Sequence, residues 1–276
     1  MKVKFYGTRG SVPVCDPEFQ EFGGNTTCIE ISYTKGEKRH ALTLDAGTGI
    51  RNLGKDLKSH HHQSNEDLYI AFTHFHWDHI QGFPFFQPAF DPDQNIHIIA
   101  MGRNRGLSDL REIFETQMQE RYFPVQLDNM GAHFDFVMPE KRTRVFNGTT
   151  ITARRHQHPG GAYSYRFERD GKKIVICTDI EHGDTIDSFT VQFAKDADLL
   201  IHDAQYTEEE LKTRRGWGHS SFKQAVEVAK LANVKALAMT HHDPDHDDAF
   251  LLRMEKMCQE IFPNCVLARE KMEIEV

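Results

Sequence analysis

Short apolar runs separated by polar breaks dominate the chain. Runs at residues 3–6, 28–33, 41–45, 68–72, 96–101, 150–154, 163–168, 173–178, 199–202 and 236–240 are bounded by turn residues, and each predicts a strand. Helical spacing predicts helices at 50–58, 107–119, 207–212, 222–231 and 249–262. In the fourth of these, Phe222, Ala225, Val226 and Ala229 share one face behind Ser220 or Ser221 as N-cap. Strands in hairpin-like succession, followed by strands alternating with helices, predict sheets covered by helices in one α/β domain over residues 1–276. Residues 58–67 are the most polar stretch and read as a surface loop. Its consecutive His60, His61 and His62 point in different directions, so they do not converge on one ion. Within 91–148, Met130-Gly131-Ala132-His133-Phe134-Asp135-Phe136 and Glu140-Lys141-Arg142 suggest an excursion beyond the core, as a lid or the contact of a homodimer.

Composition adds little until histidine is counted. With 39 % hydrophobic and 27 % charged residues in 276, the chain has ordinary globular material for a core. A formal charge of -8 gives no basic field for nucleic acid. Five scattered cysteines favour reduced thiols, hence a cytoplasmic protein. Neither a signal-peptide core nor a membrane-length apolar run is present in the sequence, so no membrane partner is expected. The 17 histidines are unusual.

Thr73-His74-Phe75-His76-Trp77-Asp78-His79 places three imidazoles and a carboxylate within six positions, directly after the run at 68–72. In a core each would need its own partner. A loop at a strand end that wraps them around cations satisfies all four, and donors in two directions suit two ions roughly 3.5–4 Å apart. Further donors stand just past other apolar runs: His158 in His156-Gln157-His158, Asp179 after Ile174-Val175-Ile176-Cys177, and His241 after Met239-Thr240. Such positions are where α/β folds place chemistry. His156 and His242 are alternatives to His158 and His241. Imidazole and carboxylate donors without thiolates suit two Zn2+ ions, and Mn2+ or Fe2+ are compatible.

From Asp45-Ala46-Gly47 through the histidine loop to His158, Asp179 and His241, the chain resembles the metallo-β-lactamase superfamily of hydrolases over nearly its whole length. The resemblance implies a four-layer αβ/βα sandwich. It also implies that His74, His76 and His158 hold one metal and that Asp78, His79 and His241 hold a second. Asp179 would bridge the two, and Asp45 would orient the histidine loop. It favours His158 over His156 because Tyr165-Arg166 follows at the distance of the phosphodiesterase branch, and His241 because it directly follows the strand end. The family's flavodiiron oxidoreductases carry Glu where His76 stands, and many of its β-lactamases carry Cys where Asp179 stands. Both differences favour hydrolysis.

Ile201-His202-Asp203-Ala204-Gln205-Tyr206 and Gly218-His219-Ser220-Ser221 resemble the His-Glu-Ala-Thr and His-Ser-Thr motifs of tRNA 3′-end-processing ribonucleases, with Asp203 for Glu and Ser221 for Thr. This implies a phosphodiesterase with Asp78, Asp203 and His219 as catalytic residues. The metals would supply the attacking hydroxide, and His219, held by Asp203, would protonate the leaving alkoxide. Those ribonucleases carry an RNA-binding arm between the third and fourth metal motifs. Here His158 and Asp179 are only 21 positions apart, around Asp170-Gly171. Long nucleic acid is therefore disfavoured, and a small cyclic phosphodiester, a cyclic nucleotide or cyclic ribose phosphate, is the expected substrate. The alternatives are a glyoxalase-type thioesterase or lactonase, a nuclease on short single strands, and a nucleotide sensor without turnover. Phe85 or Phe86 would offer base contacts, Asn25 would line the site, and Arg9, Arg166 and Arg215 are phosphate contacts by charge alone.

Overall fold

The structure, a computed structural model, describes residues 1–59, 66–101 and 107–276. The histidine run at 60–62 lies outside these described residues. In chain order the strands are β1 (Lys2–Gly7), β2 (Cys28–Lys35), β3 (Lys38–Leu44), β4 (Leu68–Phe72), β5 (Asn95–Ala100), β6 (His133–Val137) and β7 (Thr143–Phe146). They continue with β8 (Thr149–His156), β9 (Ala162–Arg169), β10 (Lys172–Cys177), β11 (Leu199–Asp203), β12 (Leu237–Thr240), β13 (Cys265–Leu267) and β14 (Glu273–Glu275). Two sheets of seven strands result, ordered β14-β1-β2-β3-β4-β5-β6 and β13-β12-β11-β10-β9-β8-β7. Every strand expected from the sequence is present. The short strands β6, β7, β13 and β14 were not expected: β7 and β14 are largely exposed, β13 is buried but only three residues long, and the alternating Phe134 and Phe136 of β6 were read as part of an excursion.

Alternation along the strands sorts side chains into layers. Val3, Phe5, Ile29 and Ile31 from the first sheet meet Phe167, Ile174, Ile176 and Ile201 from the second in one shared inner core. The opposite faces pack on helices. Ile70, Phe72, Ile96 and Ile98 meet Ile50 and Leu53 of α1 (Ile50–Ser59). Val175, Cys177, Leu200 and Met239 meet α4 (Ser188–Ala194), α6 (Phe222–Leu231) and α7 (Asp248–Ile261). Together these make the αβ/βα sandwich. In α6 the expected face is buried, with Ser221 as N-cap in a capping box with Gln224. Burying Phe222 contributes roughly 1.5–3 kcal/mol. Tyr165 ties the sheets across the core by donating to the Phe72 carbonyl at 2.8 Å.

The stretch 91–148 contributes to both sheets. Its described residues supply β5, β6 and β7. Leu110, Phe114 and Met118, in and just after α3 (Leu107–Gln117), are buried on the first sheet at intervals of one helical turn. This agrees with the helix that the spacing predicts at 107–119. Among the described residues, no helix is long and apolar enough to cross a membrane. All five cysteines are unpaired.

Candidate metal centre

The C-terminal ends of β3, β4, β8, β10, β11 and β12 converge at one edge of the sandwich and carry the candidate site. Asp45 and His241 follow their strands directly and Asp179 follows β10 after Thr178, all with positive φ, 63° for Asp45, 66° for His241 and 55° for Asp179. Non-glycine residues rarely adopt this conformation, and it turns each side chain sharply out of its strand. The histidine string is a loop that passes into a single helical turn, α2 (Trp77–Ile80), in which Asp78 and His79 face inward.

Two groups of donor atoms form, each with its members within 4.8 Å of one another: His74, His76 and His158, and Asp78, His79, Asp179 and His241. The Asp179 Oδ1 atom lies between them, 3.8 Å from His74 Nε2, 3.2 Å from His79 Nε2 and 3.1 Å from His241 Nε2. His158 Nε2 is 3.1 Å from His76 Nδ1. His156 and His242 stand outside both groups. The His156 ring bonds Ser164 and the Asp179 carbonyl, and the His242 ring bonds the Ala268 carbonyl.

Buried groups behind the cluster fix the rings. Asp45 accepts from the Thr73 amide at 2.8 Å and hydroxyl at 2.9 Å, and from His79 Nδ1 at 2.9 Å. Because the Thr73 hydroxyl donates to Asp45, it accepts from His74 Nδ1, so His74 Nε2 presents a lone pair. That atom is buried without a hydrogen-bond partner. His158 Nδ1 donates to the Gly218 carbonyl at 2.9 Å, which likewise leaves Nε2 as a lone pair. Gln205 accepts from His241 Nδ1 at 3.1 Å, and the Ser11 amide donates to Asp78 at 2.9 Å. The supporting roles of Thr73, Ser11, Gln205 and Gly218 were not read from the sequence, since, Thr73 apart, each meets its ligand from far along the chain. The glycines were the available signal: a Cβ on Gly218 would stand 2.1 Å from His158 Nδ1, and one on Gly10 would stand 2.3 Å from His241 Nδ1.

Electrostatics divide the cluster. Burial, then the neighbouring His79, holds the His74 pKa well below that of an ordinary imidazole. Burial also opposes charge on His241, but Asp179 and then Asp78 push its pKa up to about 10. His79 is raised in the same way, by Asp179, Asp78 and Asp45 against burial. Burial works against the Asp179 carboxylate too, yet His241, His79 and His74 hold it well below the carboxylate range. Protons here balance buried carboxylates, a role that a divalent cation can take over.

Asp203, at the end of β11, accepts from His219 Nδ1 at 2.9 Å and from the Ser220 amide at 2.8 Å. The His219 ring stacks on His241 with centroids 4.8 Å apart and meets His158 edge-on at 5.3 Å.

Residues 40–242 match the family model described as the Beta-lactamase superfamily domain. The chain belongs to the β-lactamase superfamily. The ribonuclease Z of Archaeoglobus fulgidus is 28 % identical over 334 aligned positions, covering 100 % of this chain and 97 % of that protein. The ribonuclease Z of Synechocystis sp. is 30 % identical over 165 residues, 59 % of this chain, which spans about half of that relative's length (48 %). Among solved structures, human tRNase Z, short form, aligns with TM-score 0.69 at 20 % identity over 100 % of this chain and 99 % of its own, and shows the same fold. A diphosphatase from the PhnP family aligns with TM-score 0.70 at 17 % identity, over 100 % and 97 %. This superfamily implies divalent metal ions in a hydrolase, and the residues present fit them. The unpartnered buried Nε2 of His74 and the converging imidazole and carboxylate donors are what such ions require.

Other residues expected at the site have partners of their own. Arg9 is buried, donating to the carbonyls of Gly23, Asp243 and His246, and holds loops together instead of facing the cluster. Arg166 pairs with Glu168 and lies over Phe193 on the helical side of the second sheet. Arg215 pairs with Asp184. Asn25 is held by Glu270. Phe86 is fully buried in the core, whereas Phe85 is exposed and packs edge-on to Phe123.

Proposed function

We propose that the chain is a dinuclear metal-dependent phosphodiesterase acting on a small cyclic phosphodiester, a cyclic nucleotide or cyclic ribose phosphate. The observation that carries this reading is the position of the Asp203–His219 pair. His219 groups with His158 and Asp179 on one side and with Asp203 and His241 on the other, so a proton donor stands against both candidate metal groups. Proton donation to an alkoxide leaving group is the chemistry a phosphodiester needs and an activated acyl group does not.

His74, His76 and His158 would hold one ion, Asp78, His79 and His241 the other, with Asp179 between them. Zn2+ suits these donors. Bound divalent ions supply a nucleophile at neutral pH and neutralise phosphoryl charge. Asp203 fixes the His219 tautomer through Nδ1 and leaves Nε2 to carry and release the proton. Asp45 and Gly218 keep the Nε2 lone pairs of His74 and His158 directed inward.

A small substrate is supported by the connection from His158 to Asp179. β9 and β10 form a hairpin closed at Asp170-Gly171, with no protruding arm. The archaeal ribonuclease Z alignment is longer than this chain, so that relative carries segments lacking here. A charge of -8 adds no attraction for long RNA. Purified protein loaded with zinc or manganese should hydrolyse bis-p-nitrophenyl phosphate and members of a cyclic-nucleotide and cyclic ribose phosphate panel. Absence of turnover with two metals bound overturns the reading, and cleavage confined to an oligonucleotide ladder moves it to a nuclease.

A further inference from the structure

Both tryptophans of this chain stand at the candidate metal centre, and both are exposed: Trp77 at 66 % and Trp217 at 61 %. Phe5, Phe72 and Phe83 are fully buried in the core, whereas Phe85, Phe90, Tyr122 and Phe189 are exposed as well. One exposed aromatic needs no explanation. These two are related through a single imidazole. His158 faces His76 with Nε2 at 3.1 Å and the Gly218 carbonyl with Nδ1 at 2.9 Å, and the tryptophans are the chain neighbours of those two partners.

The backbone holds each outward. Trp77 opens a helical turn whose next residues, Asp78 and His79, are buried, so the indole is left on the solvent side. Trp217 lies between Gly216 (φ 87°) and Gly218 (φ 98°). The Glu181 carboxylate grips both glycines from below, accepting the Gly216 amide at 2.7 Å and the Gly218 amide at 2.8 Å. The Trp217 amide itself donates to the Arg214 carbonyl at 3.2 Å. A carboxylate clamp that presents a bare indole beside a candidate phosphate site costs apolar exposure, and a planar ligand would cover that surface.

We propose that Trp77 and Trp217 are the aromatic walls of a base-binding cleft over the metal centre, so that the substrate is a nucleoside phosphodiester and not a base-free sugar phosphate. This rests on the phosphodiesterase reading and narrows its substrate class. Indole faces accept any nucleobase, so the walls select for the presence of a base and not for its identity.

Tryptophan fluorescence reports on these walls alone. In the zinc-loaded protein, adenosine and uridine monophosphates should quench it saturably, while ribose 5-phosphate should not quench and should bind at least about tenfold more weakly. Trp77→Leu and Trp217→Leu should each weaken nucleotide binding about tenfold, with the Phe variants intermediate. Circular dichroism would confirm that the variants are folded. Equal affinity for nucleotide and ribose 5-phosphate without quenching, or leucine variants that bind nucleotide as the parent does, overturns the proposal. If bis-p-nitrophenyl phosphate is still turned over in that case, the phosphodiesterase reading stands and the aromatic walls alone fail. If no phosphodiester is turned over with two metals bound, the phosphodiesterase reading itself has failed.

Discussion

The Asp203 carboxylate lies 2.9 Å from Nδ1 of His219, which leaves the other ring nitrogen as the one able to pass a proton. His219→Ala should therefore lower kcat by about 10²–10⁴-fold on phosphodiesters with alkoxide leaving groups. The loss on bis-p-nitrophenyl phosphate should be far smaller, because p-nitrophenolate leaves without a proton. Asp203→Asn should move both rates in the same direction. Steady-state kcat across leaving groups of graded basicity checks this. Equal losses on all of them remove the proton-donor role, and thioester hydrolysis that survives His219→Ala while every phosphodiester stays inert favours the thioesterase alternative.

Asp45 holds Thr73 and His79 at once, and through Thr73 it sets the tautomer of His74. Asp45→Ala should weaken zinc binding about 10–100-fold, measured by competition with a chromophoric chelator. Unchanged affinity would mean that the rings are held by other contacts.

Gly218 touches only one of the two donor groups. A Cβ there would stand 2.1 Å from His158 Nδ1, on a backbone with φ 98°. Gly218→Ala should displace His158, and metal content by mass spectrometry should fall from two ions per chain towards one, with the group around Asp78, His79 and His241 retained.

The ligand candidates were legible because they cluster in the few residues that follow an apolar run, and the end of a strand displays those side chains whatever the rest of the fold does. Gln205 was not legible. It meets His241 from 36 positions away, and only the parallel pairing of β11 with β12 brings the two strand ends together. Edge strands such as β7, exposed along most of its length, lack the alternation that reveals a half-buried strand. Charge misled at Arg9, since a guanidinium satisfied by carbonyls inside a fold reads in sequence like one waiting for phosphate.

Arg9 thus calls for a stability experiment. Burial lowers its pKa to about 10, against the pull of Asp248, so it remains charged at neutral pH. Arg9→Met leaves the carbonyls of Gly23, Asp243 and His246 without their donor, and should cost about 3–5 kcal/mol in denaturant unfolding. The KM of the folded variant should stay within about twofold of the parent value. A selective rise in KM without loss of stability would restore Arg9 as a phosphate contact.

The two sheets contribute unequally spaced halves of one cluster: His74, His76, Asp78 and His79 follow β4 of the first sheet, and His158, Asp179 and His241 follow strands of the second. Ions held there would act as rivets through the seam between the layers. Prising the layers apart would have to break coordination bonds, whereas fraying at the outer strands β7 and β14 would not. Chelation should then speed amide exchange across the facing interiors of both sheets together and leave the rims unchanged, so that cation occupancy sets how the whole sandwich opens as well as whether it can turn over a substrate.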